Sequence, residues 1–251
     1  DVYKRQESLR EKLLWTREVL TSTHRSAPPL PFPRAALPEV IASILSISHI
    51  NRFSHIVMDG SPVSSMFGSH QIKGLSLRMF GNELKSTKKK KLLPDRTNDL
   101  LPQAPLPEDM SWASANPRIA RAMSRWAAAI ERQCHEVIPP EVREFVQDNL
   151  ARWDGSEMPL SRRWVEDETA ALSGPHRDLA RFALIVAKSA PQIDQGVIDK
   201  IYVDEEHFIR TLAWASFSGA RRVALVAAGN SGMPVKGADR GADRALAQAC
   251  A

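Results

Sequence analysis

Residues 37–59 read LPEVIASILSISHINRFSHIVMD, and the spacing of the apolar side chains in this stretch decides the fold class. Leu37, Val40, Ile41, Ile44, Leu45, Ile47, Ile50, Phe53 and Val57 recur at steps of three and four, which gathers them on one broad stripe of a long core helix. Pro38 fits the first turn, where its missing N–H costs nothing, and Gly60-Ser61-Pro62 supplies the stop. Set into this rod are His49, Asn51, Arg52 and His55, groups tolerated near a core only when hydrogen-bonded or when they line a cavity. His49 and Arg52 are three apart and share a face. Two readings stay open for the cluster: it lines a pocket and orients a substrate, or it ties the helix to its neighbours by hydrogen bonds and an ion pair.

Upstream of the long helix, Leu9, Leu13, Leu14, Val19 and Leu20 predict a short amphipathic helix from Glu7, followed by a proline-rich entry over residues 26–33. The opening DVYKRQ, without an initiator methionine, reads as a junction sequence, and the protein is expected to begin further upstream. Downstream, Ile72, Leu75, Leu77, Met79 and Phe80 predict one modest helix ahead of a lysine run at 85 and 88–91. The four prolines between residues 92 and 108 then predict a linker or extended strap. Three regions are expected: an N-terminal helical half at 1–99, a C-terminal helical half at 100–228, and a Gly- and charge-rich disordered tail at 229–251 carrying a GADRGADR echo.

The C-terminal half is clearly punctuated. Asn116-Pro117 is a cap and first-turn pair ahead of Ile119, Met123, Trp126 and Ile130, and Pro139-Pro140 opens a helix carrying Val142, Phe145, Val146 and Leu150. Ser161 is expected to launch a third helix through Leu172, Pro175 a fourth with Leu179, Phe182, Ala183 and Val186, and Asp204 the last, with Phe208, Leu212, Ala215, Phe217 and Val223. No segment alternates like a half-buried strand, so the class is all-α.

With 251 residues, 43% of them hydrophobic, the chain is long enough for one large core or two small ones. No unbroken apolar run reaches the roughly 18 residues that span a bilayer, and no secretory segment opens the chain, so a cytoplasmic, membrane-free protein is expected. Its net charge of +5 is spread widely, and the lysine run lacks stacking aromatics or a known nucleic-acid fold beside it. A nucleic-acid partner is not expected. The two cysteines, Cys134 and Cys250, lie too far apart for a disulfide framework or metal-ligand spacing, so no metal and no cofactor is expected.

Five stretches carry a resemblance: HINRFSHIVMDGSP at 49–62, LLPQAPLPEDMSWASANPRIARAMSRWAAAIE at 100–131, WDG at 153–155, PLSRRWVED at 159–167 and LAWASFSGARRVA at 212–224. Together they resemble the C-terminal part of proteins in the carboxymuconolactone decarboxylase and alkylhydroperoxidase D-like superfamily, over about Pro28 to Val226. The resemblance implies an all-helical bundle, commonly a homo-oligomer, and in active members a thiol peroxidase or disulfide-reductase chemistry with a peroxide substrate and a thiol reductant. That chemistry rests on Cys-x-x-Cys followed three residues later by His, with an upstream Glu: an activated thiolate attacks peroxide and the second cysteine resolves the sulfenic acid. The 251 residues contain no such motif. The positions of the long helix spaced like that motif are Phe53, Ile56 and Gly60, which do no redox work. Either the redox half lies upstream of Asp1 or the lineage has no cysteine chemistry, and the unusual start favours the first.

The remaining candidates have plain readings. Cys134 is expected to be a small buried apolar residue, since adjacent residues such as His135 point about 100° apart on a helix. Cys250 reads as a free thiol near the chain end, and the tryptophans at 112, 126, 153, 164 and 214 as core anchors. Arg221 and Arg222 suit the C-terminal dipole of the last helix, as Asp204, Glu205 and Glu206 suit its start. Three functions remain: the non-redox part of a peroxidase-type oxidoreductase, a catalytically silent oligomerisation or partner-binding module, and a basic nucleic-acid binder. No catalytic residue is assigned within the chain.

Overall fold

The computed structural model describes residues 2–21, 28–58 and 100–235, and among these it is all-α with no strand. Helix α1 spans Val2–Thr21, and a 3-10 turn at Arg34–Ala36 leads into α2, Leu37–Met58. A 3-10 segment at Glu108–Ala115 precedes α3 (Pro117–Cys134), α4 (Pro140–Arg152), α5 (Arg163–Glu168), α6 (Gly174–Ser189), α7 (Gln195–Ile198) and α8 (Glu205–Asn230). The expected helix around 72–80, the lysine run and the first part of the expected linker lie outside the described residues.

Several helix starts follow the expected chemistry. The Asn116 side chain accepts from the backbone N–H groups of Arg118 (3.1 Å) and Ile119 (3.4 Å), with Pro117 in the first turn of α3. Asp204 accepts from His207 N at 2.7 Å to cap α8, and Asp194 accepts from Val197 N at 3.0 Å to cap α7. After α4 the chain reverses at Gly155, whose φ of +89° is open to glycine. There Asp154 accepts from Ser156 N at 2.9 Å, and the Trp153 indole donates to the Ser156 carbonyl at 2.9 Å.

Helix α8 is the axis of the molecule, packing against α2, α6, α3, α1 and α4. One apolar cluster joins Phe208, Leu212 and Trp214 to Ile56 of α2, Val142 and Val146 of α4, and Phe182 to Ala187 of α6. The other joins Phe217, Ala220, Ala224 and Ala227 to Trp15 and Val19 of α1, Leu37, Ile41 and Leu45 of α2, Met110 and Trp112, and Met123 and Ala127 of α3. Both clusters draw on residues before and after 100. At Gly219 the approach of α8 to α6 is so close that a Cβ would sit 2.5 Å from the carbonyl oxygen of Ala187.

Several expectations are corrected. Among the described side chains of α1 the buried ones are Trp15 and Val19, four apart, while Leu9, Leu13 and Leu14 are exposed, and the helix starts at Val2 and not Glu7. On α2, Ile47 and Ile50 face outward, because α8 covers only the side bearing Leu37, Ile41 and Leu45. The helix expected from Ser161 to Leu172 is the short α5, ending at Glu168. Helix α8 runs to Asn230, so Gly229 and Asn230, assigned to the tail, are its last residues; Met233 and Val235 pack on the core, and residues 236–251 lie outside the described residues. The stretch Arg34–Val57 is long and apolar enough, by length and composition, to cross a membrane despite its interrupting polar residues. Its Leu37, Ile41, Leu45 and Ile56 are spent on the core.

Candidate functional site

The polar cluster of α2 divides. His49 turns into the helix interface, with its ring 5.3 Å from Trp126 and 5.6 Å from Phe217, edge-on to both. Its Nδ1 lies 3.0 Å from Ser216 Oγ on α8. Where the Ser216 hydroxyl gives its single hydrogen to the Ala213 carbonyl at 3.1 Å, Nδ1 is the donor in that pair. Burial, helped by the nearby charge of Arg52, lowers the His49 pKa to about 4, so the ring is neutral at pH 7.

Arg52 bridges α2 to α6: Nε donates to the Ala187 carbonyl at 2.8 Å, and Nη1 donates to the Ser48 carbonyl at 3.0 Å and to the Ser48 hydroxyl. Burial lowers its pKa to about 10. The alternative expected for the cluster is a tie to neighbouring helices by hydrogen bonds and an ion pair; among the described residues these three partners of Arg52 are neutral oxygens, so the tie to α6 is by hydrogen bonds.

Asn51, Arg52 and His55 line a cleft of about 640 Å³ together with Glu157, Met158, Leu160, Lys188, Ser189, Ala190, Pro191 and Gln192. His49 is not among the lining residues. Lys188, almost wholly buried at the end of α6, donates to Asn149 and to both carboxylate oxygens of Glu168 at 3.0 Å, and its ammonium lies 5.5 Å from the centre of the Trp164 ring. Burial lowers its pKa against the opposing pull of Glu168. Gln192 is locked in turn, donating to the Pro159 carbonyl at 2.6 Å and accepting from the Trp164 indole at 3.1 Å. Sequence reasoning missed Lys188 and Gln192, for their only signal is polarity beside an otherwise apolar helix end.

A second cleft, of about 530 Å³, opens between α3, α4, α8 and the 3-10 segment, with Asp109, Glu131, Arg221 and Arg222 in its wall. Arg221 grips Asp109 with two parallel bonds of 2.8 and 2.6 Å and reaches Glu131 at 3.0 Å. Arg222 donates to the Trp153 carbonyl. The assignment of these two arginines to a helix C-terminus is corrected: α8 continues more than two turns past them, and each is bound by a distant segment.

Cys134 is buried at the end of α3, donating to the Glu131 carbonyl at 3.2 Å. Burial, and then the charge of Glu131, pushes its thiol up to about 12. Glu131, Cys134 and His135 stand at i, i+3 and i+4 at the end of α3, which brings ligand-type atoms of the three within 4.8 Å of one another. A protonated thiol and a carboxylate already held by Arg221 are poor ligands, and no metal is assigned there. Nothing in the described site supplies an activated thiolate.

Among the described residues the chain is an all-helical bundle packed around α8, and all-helical is the fold class the sequence resemblance implied. Among curated proteins it is similar to the alkyl hydroperoxide reductase Rv2159c of Mycobacterium tuberculosis, at 25% identity over 201 residues, which is 79% of this chain and 57% of that protein. The chain therefore spans little more than half the length of that relative. The match bears out the resemblance to the alkylhydroperoxidase D-like superfamily. No protein-family model and no solved structure matches the chain.

Proposed function

We propose that this chain is the non-redox part of a thiol-dependent, peroxidase-type oxidoreductase whose cysteine pair lies in sequence upstream of residue 1. The observation that carries the reading is the similarity to a protein named an alkyl hydroperoxide reductase, over most of this chain and only part of that one. The state of Cys134 supports it: a thiol needing a pH near 12 to ionise does not attack peroxide at neutral pH. In this reading the helices of the chain supply packing and cleft walls, and a thiol reductant and a peroxide are the partners of the whole protein, working in the cytoplasm. A homo-oligomer belongs to the same reading, supported by Ile47 and Ile50 on the outer side of α2, and sedimentation at several concentrations tests it.

The decisive experiment extends the reading frame upstream and assays the longer product. A Cys-x-x-Cys-x-x-x-His on a predicted helix, with thiol-dependent peroxide consumption by the longer chain and none by these 251 residues, is the expected outcome. An intact open frame without that motif removes the peroxidase reading and leaves a silent helical module.

A further inference from the structure

We propose that the cleft beside Arg52 binds a small molecule with one carboxylate on an apolar body, and that the Arg52 guanidinium is its anchor. A half-buried cation ordinarily has a counter-charge, because removing it from water without one is costly. Two other deeply placed cations here obey that rule: Lys188 has Glu168, and Arg221 has Asp109 and Glu131. Arg52 has only neutral oxygens on Nε and Nη1, and its Nη2, with two N–H donors, has no partner among the described residues.

The rest of the cleft defines the ligand. Ser48 and Ala187 hold the guanidinium in place, so little side-chain freedom remains to be lost on binding. Lys188 is neutralised by Glu168, and Glu157 stands exposed at the rim, so among the described residues of the wall Arg52 is the cation with no carboxylate bound to it. That matches a carboxylate better than a phosphate dianion. Met158, Leu160, Ala190 and Pro191 give the apolar surface for a short hydrocarbon body, in a space of about 640 Å³. The proposal does not depend on the peroxidase reading, since its readout is binding and not turnover.

The test is calorimetric titration of the 251-residue chain with hexanoate, 1-hexanol and inorganic phosphate. Hexanoate is expected to bind at least about tenfold more tightly than either of the others, the margin one charge-assisted contact supplies. Arg52→Gln should weaken hexanoate by about tenfold and leave 1-hexanol unchanged. Should that variant fail to fold, Leu160→Glu serves: Leu160 is 98% exposed, so the change spares the core while placing a negative charge at the cleft, and it should weaken hexanoate alone. An apolar peptide with a free C-terminal carboxylate, run beside its amide, separates a chain end from a free acid. Equal binding of hexanoate and 1-hexanol, no binding of hexanoate, phosphate as tight as hexanoate, a free-acid peptide tighter than hexanoate, or a folded variant that binds hexanoate normally would each overturn the proposal.

Discussion

His49 shows what one side chain does to the pH range of the fold. Its pKa falls from 6.5 to about 4 on folding, so between those values the unfolded chain binds more protons than the folded one. The stability from its neutral ring is fully present above about pH 6.5 and drains away as pH falls toward 4. Discounted for partial exposure, the effect is about 1–2 kcal/mol. Urea unfolding of the native chain and His49→Gln at about pH 7 and about pH 4.5 should show the gap between them narrowing in acid. An equal gap at both values would contradict the burial argument. Cys134 makes the opposite case of a group silenced by burial: Cys134→Ser should leave peroxide consumption unchanged and cost about 1 kcal/mol, and alkylation of the native chain at neutral pH should spare this thiol. The identity of both residues was plain in the sequence. Their chemistry was not, because desolvation comes from neighbours on other helices.

Among the elements, α8 and α6 make the tightest junction. Gly219→Ala would drive a Cβ to 2.5 Å from Ala187 O, which is backbone and has little room to yield because Arg52 also holds it. A loss of about 2–3 kcal/mol in chemical denaturation is expected, against near neutrality for Gly196→Ala, where the nearest atom is 3.6 Å away. The 3-10 segment is fastened to α3 and α8 by Arg221. Arg221→Met should cost about 2–3 kcal/mol by stranding Asp109 and Glu131, and adding Asp109→Asn should recover part of the loss. The helix starts at Asn116 and Asp204 were readable because a cap is local chemistry within a few residues. The outward turn of Leu9, Leu13, Leu14, Ile47 and Ile50 was not, since periodicity marks an apolar face without saying which part of it a partner covers.

For the whole molecule, the two apolar clusters set the expectation. Each combines α1 or α2 with the helices after residue 100, so circular dichroism and tryptophan fluorescence should report one coincident unfolding transition. A chain beginning at Leu100 should lose its cooperative melt, because Phe217, Ala220 and Ala224 would face water where α1 and α2 had covered them. A shortened chain melting at the same temperature would mean that α1 and α2 are dispensable. By itself the sequence determined the all-α class, most helix starts and the want of a Cys-x-x-Cys pair, since periodicity, capping residues and motifs are properties of nearby residues. Only the tertiary structure decided that Arg52 lines a cleft and, among the described residues, bonds neutral oxygens, while His49, three residues away, packs against Trp126 and Phe217, because the surroundings of a side chain are set by segments far along the chain.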